Sequence, residues 1–278
     1  MGRGKRFTRP GGFGRLERGV KLIVMESIQT ARQRLASRGP AGRPFVYLNA
    51  AMTADGKLAP ADRRFVAFGS QRDQDHLHEL RTTADAVMAG ARTVDLAPAT
   101  MGPGGAQYRR RRLQLGLAEF NLRVIVSGSG TVNPAAAIFQ LRCSPIIILT
   151  TGRVRPRQLG VLRGLADEVK ICGDEQLDFS FALQWLRQQW GVKRLLCEGG
   201  GEINGALVTA GLVDEIHVTL CPVILGGRTA PTLADGAGFA ALADAAALEL
   251  QSRRRVGDEM FLVYRVIAPA RQPVLPGR

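Results

Sequence analysis

The chain has 278 residues, of which 45% are hydrophobic, and a formal net charge of +14. That length allows one large core, or one core with a small appendage. No apolar run approaches the roughly 20 residues that span a bilayer, and Leu22-Ile-Val-Met25 is too short for a signal-peptide core. Cys143, Cys172, Cys197 and Cys221 form no CxxC pair, so neither a zinc cluster nor a disulfide framework is indicated, and a reducing cytoplasm fits best.

Residues 1–42 read as a basic, partly disordered extension in which a run of arginines and lysines from Arg3 to Lys21, with Arg32, Arg34 and Arg38, faces only Glu17 and Glu26. A short helix over Ser27 to Ala36 is predicted within it. The arm and the run Arg109 to Arg112 carry much of the net charge, so the charge is read as an arm and a solvated loop rather than a nucleic-acid face. No aromatic interleaving supports base stacking. A transit peptide, or a true start at Met25, are the other readings of the arm.

From Arg43 onward strand-like and helical runs alternate. Phe45 to Ala51 reads as a strand followed by the tight turn Asp55-Gly56. Ser70 to Leu80 reads as a helix, with Ser70 and Asp73 spaced as a capping box. Ala86 to Ala89 is a short buried strand, and Arg123 to Val126 and Ile146 to Leu149 are continuous apolar runs of the kind covered on both faces of a parallel sheet. Asp178 to Trp190 is a helix capped by Asp178 or Ser180, with Gly191 at its end and both tryptophans in the core. Arg194 to Cys197 is a strand, Ile203 to Ala210 a helix, and Glu215 to Leu220 and Met260 to Val266 are the last strands. The pattern predicts one α/β domain over 43–270, with a mostly parallel sheet, an antiparallel edge and a tail at 271–278.

The most informative stretch is Leu195-Leu-Cys-Glu-Gly-Gly-Gly-Glu-Ile-Asn-Gly205. Glycines between a strand and a helix let backbone approach a ligand closely, and the N–H groups that open the helix form an anion site suited to a phosphate-bearing cofactor. The spacing is not GxGxxG, because Gly205 falls one position late, and the turn lies late in the chain. A Rossmann domain is therefore not indicated. Glu198 would stand at the C-terminal end of its strand, where sites of α/β proteins gather.

Cys197 to Ala206, Gly211-Leu-Val-Asp-Glu215 and Pro222-Val-Ile-Leu-Gly-Gly227 resemble the pyrimidine reductases of riboflavin biosynthesis. Asn49-Ala-Ala-Met-Thr-Ala-Asp-Gly-Lys57 and Leu80 to Gly90 with Thr93-Val94 resemble that family in the same order, over roughly residues 43–268. The resemblance implies a dihydrofolate-reductase-like three-layer fold and an NADPH-dependent reduction of a ribosylamino-pyrimidine 5′-phosphate at C1′ of its opened sugar. It implies that Ala51, Thr93, Gly199, Gly200, Gly201, Glu202 and Ile203 hold the cofactor, that Asn49, Arg81 and Glu198 face substrate, and that Glu198 is catalytic. A homodimer is expected, with no metal. On residue chemistry alone, Glu198 suits proton handling beside a cationic imine, Arg81 suits either a phosphate clamp or a helix-dipole partner, and Asp55 suits a turn former.

Neither an HxE nor a PCxxC deaminase motif is present, so a stand-alone reductase is implied. Asn49 stands where the bifunctional enzymes usually show lysine, as in the stand-alone archaeal and fungal reductases, which makes 2,5-diamino-6-ribosylamino-4(3H)-pyrimidinone 5′-phosphate the expected substrate. After Thr93-Val94 the family's DDPxLTxR-like segment is replaced by Asp95 to Gly105, with Ala97 at the aspartate position and no arginine before Arg109. The polyarginine run from a shifted position, or another substrate, would account for this. The alternatives are the deaminated aminouracil substrate, another substrate such as dihydrofolate, and a basic nucleic-acid-binding protein. His76 and His78 make a poor metal pair, His217 reads as structural or interfacial, and Ser127 and Ser129 either touch the cofactor's adenosine side or form a plain turn.

Overall fold

The computed structural model describes residues 40–64, 67–96 and 99–267; the basic arm, the Ser27 to Ala36 segment, Ala97 and the tail 271–278 lie outside the described residues. The strands are β1 (Phe45–Thr53), β2 (Ala86–Gly90), β3 (Leu122–Val126), β4 (Ile146–Thr150), β5 (Glu168–Ile171), β6 (Arg194–Cys197), β7 (Glu215–Cys221), β8 (Ala247–Val256) and β9 (Glu259–Ile267). The helices are α1 (Gln71–Arg81), α2 (Ala91–Leu96), α3 (Ala106–Gln114), α4 (Ala137–Gln140), α5 (Pro156–Leu165), α6 (Phe179–Gln189) and α7 (Gly201–Thr209).

The strands form one sheet in the order β5-β4-β3-β2-β6-β1-β7-β9-β8. Pairing is parallel from β5 to β7, whereas β9 runs antiparallel to β7 and β8 antiparallel to β9. The mostly parallel sheet with an antiparallel edge agrees with the reading of the sequence. Two core layers lie on opposite faces of the sheet. Val46 and Leu48 of β1 pack with Leu183 and Leu186 of α6 and Leu207 of α7, while Tyr47 packs with Leu80 of α1 and Leu162 of α5. The apolar runs of β2, β3 and β4 are continuous because both of their faces are covered, which removes the alternation of a half-exposed strand.

Several boundaries and assignments differ. Ser70 Oγ caps α1 by accepting from Arg72 N, but its own N–H and hydroxyl donate to Glu259 Oε1 and Oε2 at 2.7 and 2.6 Å, so Glu259 displaces Asp73 from the capping box. Helix α7 starts at Gly201, two residues before the expected Ile203. Arg109 to Arg112 lie in helix α3 rather than a solvated loop. Arg112 is buried, donating from Nε to Ala118 O and from Nη1 to Arg81 O and Ala84 O at 2.6–2.8 Å. Helix α5 escaped sequence reading because only Leu162 of its residues is buried, and β8 because its residues are exposed along almost its whole length. Neither carries the periodicity that burial on one face imposes.

Asp55 is a turn former with a longer reach. It accepts from Thr53 Oγ1, Leu225 N and Gly226 N, tying the β1 turn to the 222–227 loop, and these bonds lower its pKa to about 2. Because the folded pKa is the lower one, the stabilisation is complete above the unfolded value of about 3.9 and is lost as pH falls towards 2. Asp55→Asn is expected to flatten that acid dependence, measured by chemical denaturation across pH 2 to 6.

Candidate active site

A cleft of about 920 Å³ opens over the C-terminal ends of β1, β2, β3 and β6. This is where the strand order switches direction, since β2 to β5 run outward on one side of the β1–β6 pair and β7 lies on the other. Asn49, Ala51, Arg81, Thr93, Glu198, Gly199, Gly200, Gly201, Glu202 and Ile203 all line it. Residues distant in sequence meet there because parallel strands deliver their C-terminal ends to one edge.

The glycine turn has a conformation that L side chains resist. Gly199 and Gly200 have φ of +30° and +118°, and a Cβ on Gly199 would overlap Asn204 Oδ1. No side chain caps α7, so its opening N–H groups face the cleft as a partial positive charge. The off-pattern Gly205 also has a cause. Asp235 N donates to Gly201 O at 2.8 Å, and a Cβ on Gly205 would overlap Asp235 O. Gly205, the fourth glycine of the stretch, thus serves close packing of the 231–236 segment, whose Leu233 O accepts from Asn204 Nδ2 at 3.0 Å. Gly205→Ala is expected to cost about 1–3 kcal/mol of stability by overpacking, read from denaturant midpoints, and to weaken cofactor binding by shifting α7.

At the end of β6, Glu198 meets Arg81 in a two-pronged ion pair. Nε and Nη2 of Arg81 each lie 2.6 Å from a different carboxylate oxygen, and Nη1 donates to Gly102 O at 2.8 Å. Both side chains are largely buried, at 9% and 12% exposure. Three of the five N–H donors of Arg81 are thus committed, and two remain for a ligand. The sequence suggested a phosphate clamp or a dipole partner; in the structure the guanidinium first of all fixes the carboxylate. Glu202 presents its backbone to the turn while its carboxylate points outward, with Arg63 and Arg92 at 3.7 and 3.8 Å.

The segment that departs from the family pattern builds the wall opposite. Met101 is fully buried with φ +56°, its carbonyl accepts from Asn121 Nδ2, and the next carbonyl holds Arg81. None of Arg109 to Arg112 lines the cleft; among the described residues its basic groups include Arg63, Arg64, Arg81 and Arg92. His78 also lines it, packed on the Tyr108 ring, and burial followed by the nearby Arg81 charge lowers its pKa. Ser127 and Ser129 line the cleft, but their hydroxyls bond within the turn to Thr131. His217 is buried in β7 with Nε2 2.6 Å from Glu215, and His76 packs on its ring. Burial pushes the thiol of Cys197 up to about 12, so beneath the turn it is a packing group. Among the described residues no cluster of His, Cys, Asp or Glu could hold a metal, and no helix is long and apolar enough to cross a membrane.

The arrangement fits a dinucleotide. It has an uncapped helix end behind positive-φ glycines, room along four strand ends, and a fixed carboxylate where the reacting atoms would lie. Reading the sequence missed Asp73, because its spacing from Ser70 suggested a cap, and Arg63, Arg64 and Arg92, which stand in no motif, as residues of the cleft.

Comparison with known proteins agrees. The model of the RibD C-terminal domain matches residues 44–262. The chain is 35% identical over 224 residues to the 2,5-diamino-6-ribosylamino-4(3H)-pyrimidinone 5′-phosphate reductase of Methanothermobacter thermautotrophicus, covering 81% of this chain and 99% of that protein. It is 31% identical to the reductase of the same name from Archaeoglobus fulgidus, covering 71% and 89%. In fold it is similar to Acinetobacter baumannii RibD, with a TM-score of 0.64 at 19% identity, covering 82% of this chain and 59% of that one. The chain belongs to the RibD C-terminal domain family, the pyrimidine reductases of riboflavin biosynthesis.

Proposed function

We propose that the chain reduces 2,5-diamino-6-ribosylamino-4(3H)-pyrimidinone 5′-phosphate to its ribitylamino form with NADPH. The observation that carries this reading is the buried Arg81–Glu198 pair beside the glycine turn, in a chain 35% identical to a reductase named for that substrate. The reduced nicotinamide, when bound, supplies the hydride that reaches C1′. Ala51, Thr93 and Gly199 to Ile203 hold the cofactor, the turn through backbone N–H groups. Asn49, Arg81 and Glu198 face the substrate.

Opening the sugar needs a proton on the ring oxygen and leaves a cationic imine at C1′. Glu198 serves both needs, holding its negative charge near the imine and accepting or passing the proton through oxygen lone pairs that Arg81 leaves unused. Arg81 orients that carboxylate and offers its two remaining N–H groups to substrate. Arg63, Arg64 and Arg92 supply positive charge for phosphates in place of the family's missing arginine. The four cysteines are free, in keeping with a reducing cytoplasm. Ile224, Leu248 and Leu250, at 77%, 44% and 47% exposure, support a homodimer through the 222–227 loop and β8.

The test is loss of reduced-nicotinamide absorbance with the diamino substrate, the deaminated aminouracil substrate and dihydrofolate in parallel. Turnover of the diamino substrate with NADPH is expected. Turnover of dihydrofolate alone would overturn the assignment.

A further inference from the structure

Asp73 stands in the first turn of α1, where a carboxylate suits the helix dipole, but it is buried rather than solvated. It lines the cleft yet is only 6% exposed, and its Oδ1 has no hydrogen-bond partner. No salt bridge reaches it among the described residues. The neighbouring carboxylate, Glu259, is already engaged by Ser70. Burial pushes the pKa of Asp73 up, hydrogen bonding with the Thr219 side chain opposes this, and the Glu259 charge adds to the rise. Gly69 makes room for the carboxyl, since a Cβ there would overlap Asp73 Oδ2.

The surroundings repeat the pattern. Asn49 Oδ1 is also buried without a partner. Ala51 is paired with Thr219, and Asn49 with His217, on the adjoining strands β1 and β7. A buried carboxylate left unpaired is costly. Asp73 and Asn49 both line the cleft, and their unpartnered acceptors are satisfied by a ligand that brings donors.

The position sets which part of the ligand this is. Asp73, Leu77 and Arg81 lie at i, i+4 and i+8 on α1 and all line the cleft. Eight residues at 1.5 Å each separate Asp73 from Arg81 by about 12 Å along the helix, room for a pyrimidine ring and the C1′ it carries between the two side chains. With C1′ beside Glu198 and the rest of the sugar leading its phosphate away towards the cationic groups, the far edge of the pyrimidine faces Asp73.

We propose, resting on the reductase reading above, that Asp73 is the specificity-determining residue that reads the 2-amino and N3–H edge of the diaminopyrimidinone. Those two donors lie side by side in the ring plane and match the two oxygens of one carboxylate, the fork geometry that makes arginine a good carboxylate partner. The deaminated substrate has a carbonyl oxygen at C2 instead. It would place an acceptor against the carboxylate, and sites built on such pairing reject the mismatched analogue strongly.

Asp73→Asn tests this in the full-length protein. Its amide keeps the shape and offers one acceptor and one donor, which suits N3–H and C2=O of the deaminated ring. Wild type is expected to favour the diamino substrate in kcat/KM by about 100-fold or more. Asp73→Asn is expected to lose about 100-fold on that substrate while holding or gaining on the deaminated one, with NADPH affinity unchanged. Equal loss on both substrates would mark Asp73 as merely structural and overturn the proposal. So would a wild type that prefers the deaminated substrate, leaving the reductase reading intact. A wild type that reduces neither substrate would overturn the reductase reading, and the proposal with it.

Discussion

Glu198→Gln is expected to lower kcat by about 10²- to 10⁴-fold, the usual contribution of a positioned proton-transfer group, with little change in NADPH affinity. Glutamine preserves the length and one acceptor of Glu198 but removes the charge that, in the proposed reaction, faces the cationic imine. It also leaves the Arg81 guanidinium, 9% exposed, without its counter-charge, and breaking such a buried pair costs on the order of 3–5 kcal/mol. Activity must therefore be compared well below the lowered Tm, and Arg81→Met with Glu198→Gln separates the two effects. The double variant regains stability because neither partner is left charged and alone, but it does not regain turnover. A kcat for Glu198→Gln within about tenfold of wild type, 1.4 kcal/mol in the barrier, would remove Glu198 from the chemistry.

Arg112→Ala is expected to have the largest effect on stability, roughly 3–5 kcal/mol, or on the order of 10 °C in Tm for a domain of this size. The reason is the inventory of its bonds. The carbonyls of Arg81, Ala84 and Ala118 all accept from this one side chain, and alanine removes all three bonds, leaving Arg81 O with only the 3.4 Å bond from Ala84 N. Burial pushes the guanidinium down to about 10, so it remains a cation at neutral pH and its charge is spread over backbone dipoles. Arg112→Lys keeps the charge but not the planar fork, so most of the loss should persist. Because one of the three carbonyls belongs to Arg81, the substitution should also loosen the residue that fixes Glu198. Thermal and urea unfolding measure the first effect, and kcat at low temperature the second. A change in Tm of under about 2 °C would show that the three carbonyls find other donors.

Much of this was legible in the chain itself. Val46, Leu48 and the apolar runs of β2 to β4 announce a sheet covered on both faces, because burial on both sides writes itself as unbroken hydrophobicity. The run Gly199 to Gly201 announces a tight strand-to-helix turn, because few residues other than glycine accept the backbone angles of Gly199 and Gly200. Elements whose stability comes from elsewhere left no such mark. The helix of Arg109 to Arg112 looks like a solvated loop until Arg112 is seen reaching the carbonyls at the end of α1, and β8 carries no alternation because both of its faces are exposed.

The sequence by itself determined the α/β class and the glycine turn, which follow from one-dimensional patterns and local backbone demands, while Asn49, Ala51, Arg81 and Thr93, which meet that turn in the cleft, were picked out by resemblance to the family. Only the tertiary structure decided that Arg81 grips Glu198, that Gly205 yields to Asp235, and that Glu259 takes over Ser70 and leaves Asp73 Oδ1 at the cleft without a hydrogen-bond partner. Each of these depends on groups far apart in the chain and close in space, and the partner of a charge is set by which strand ends the sheet brings together, not by its neighbours in sequence.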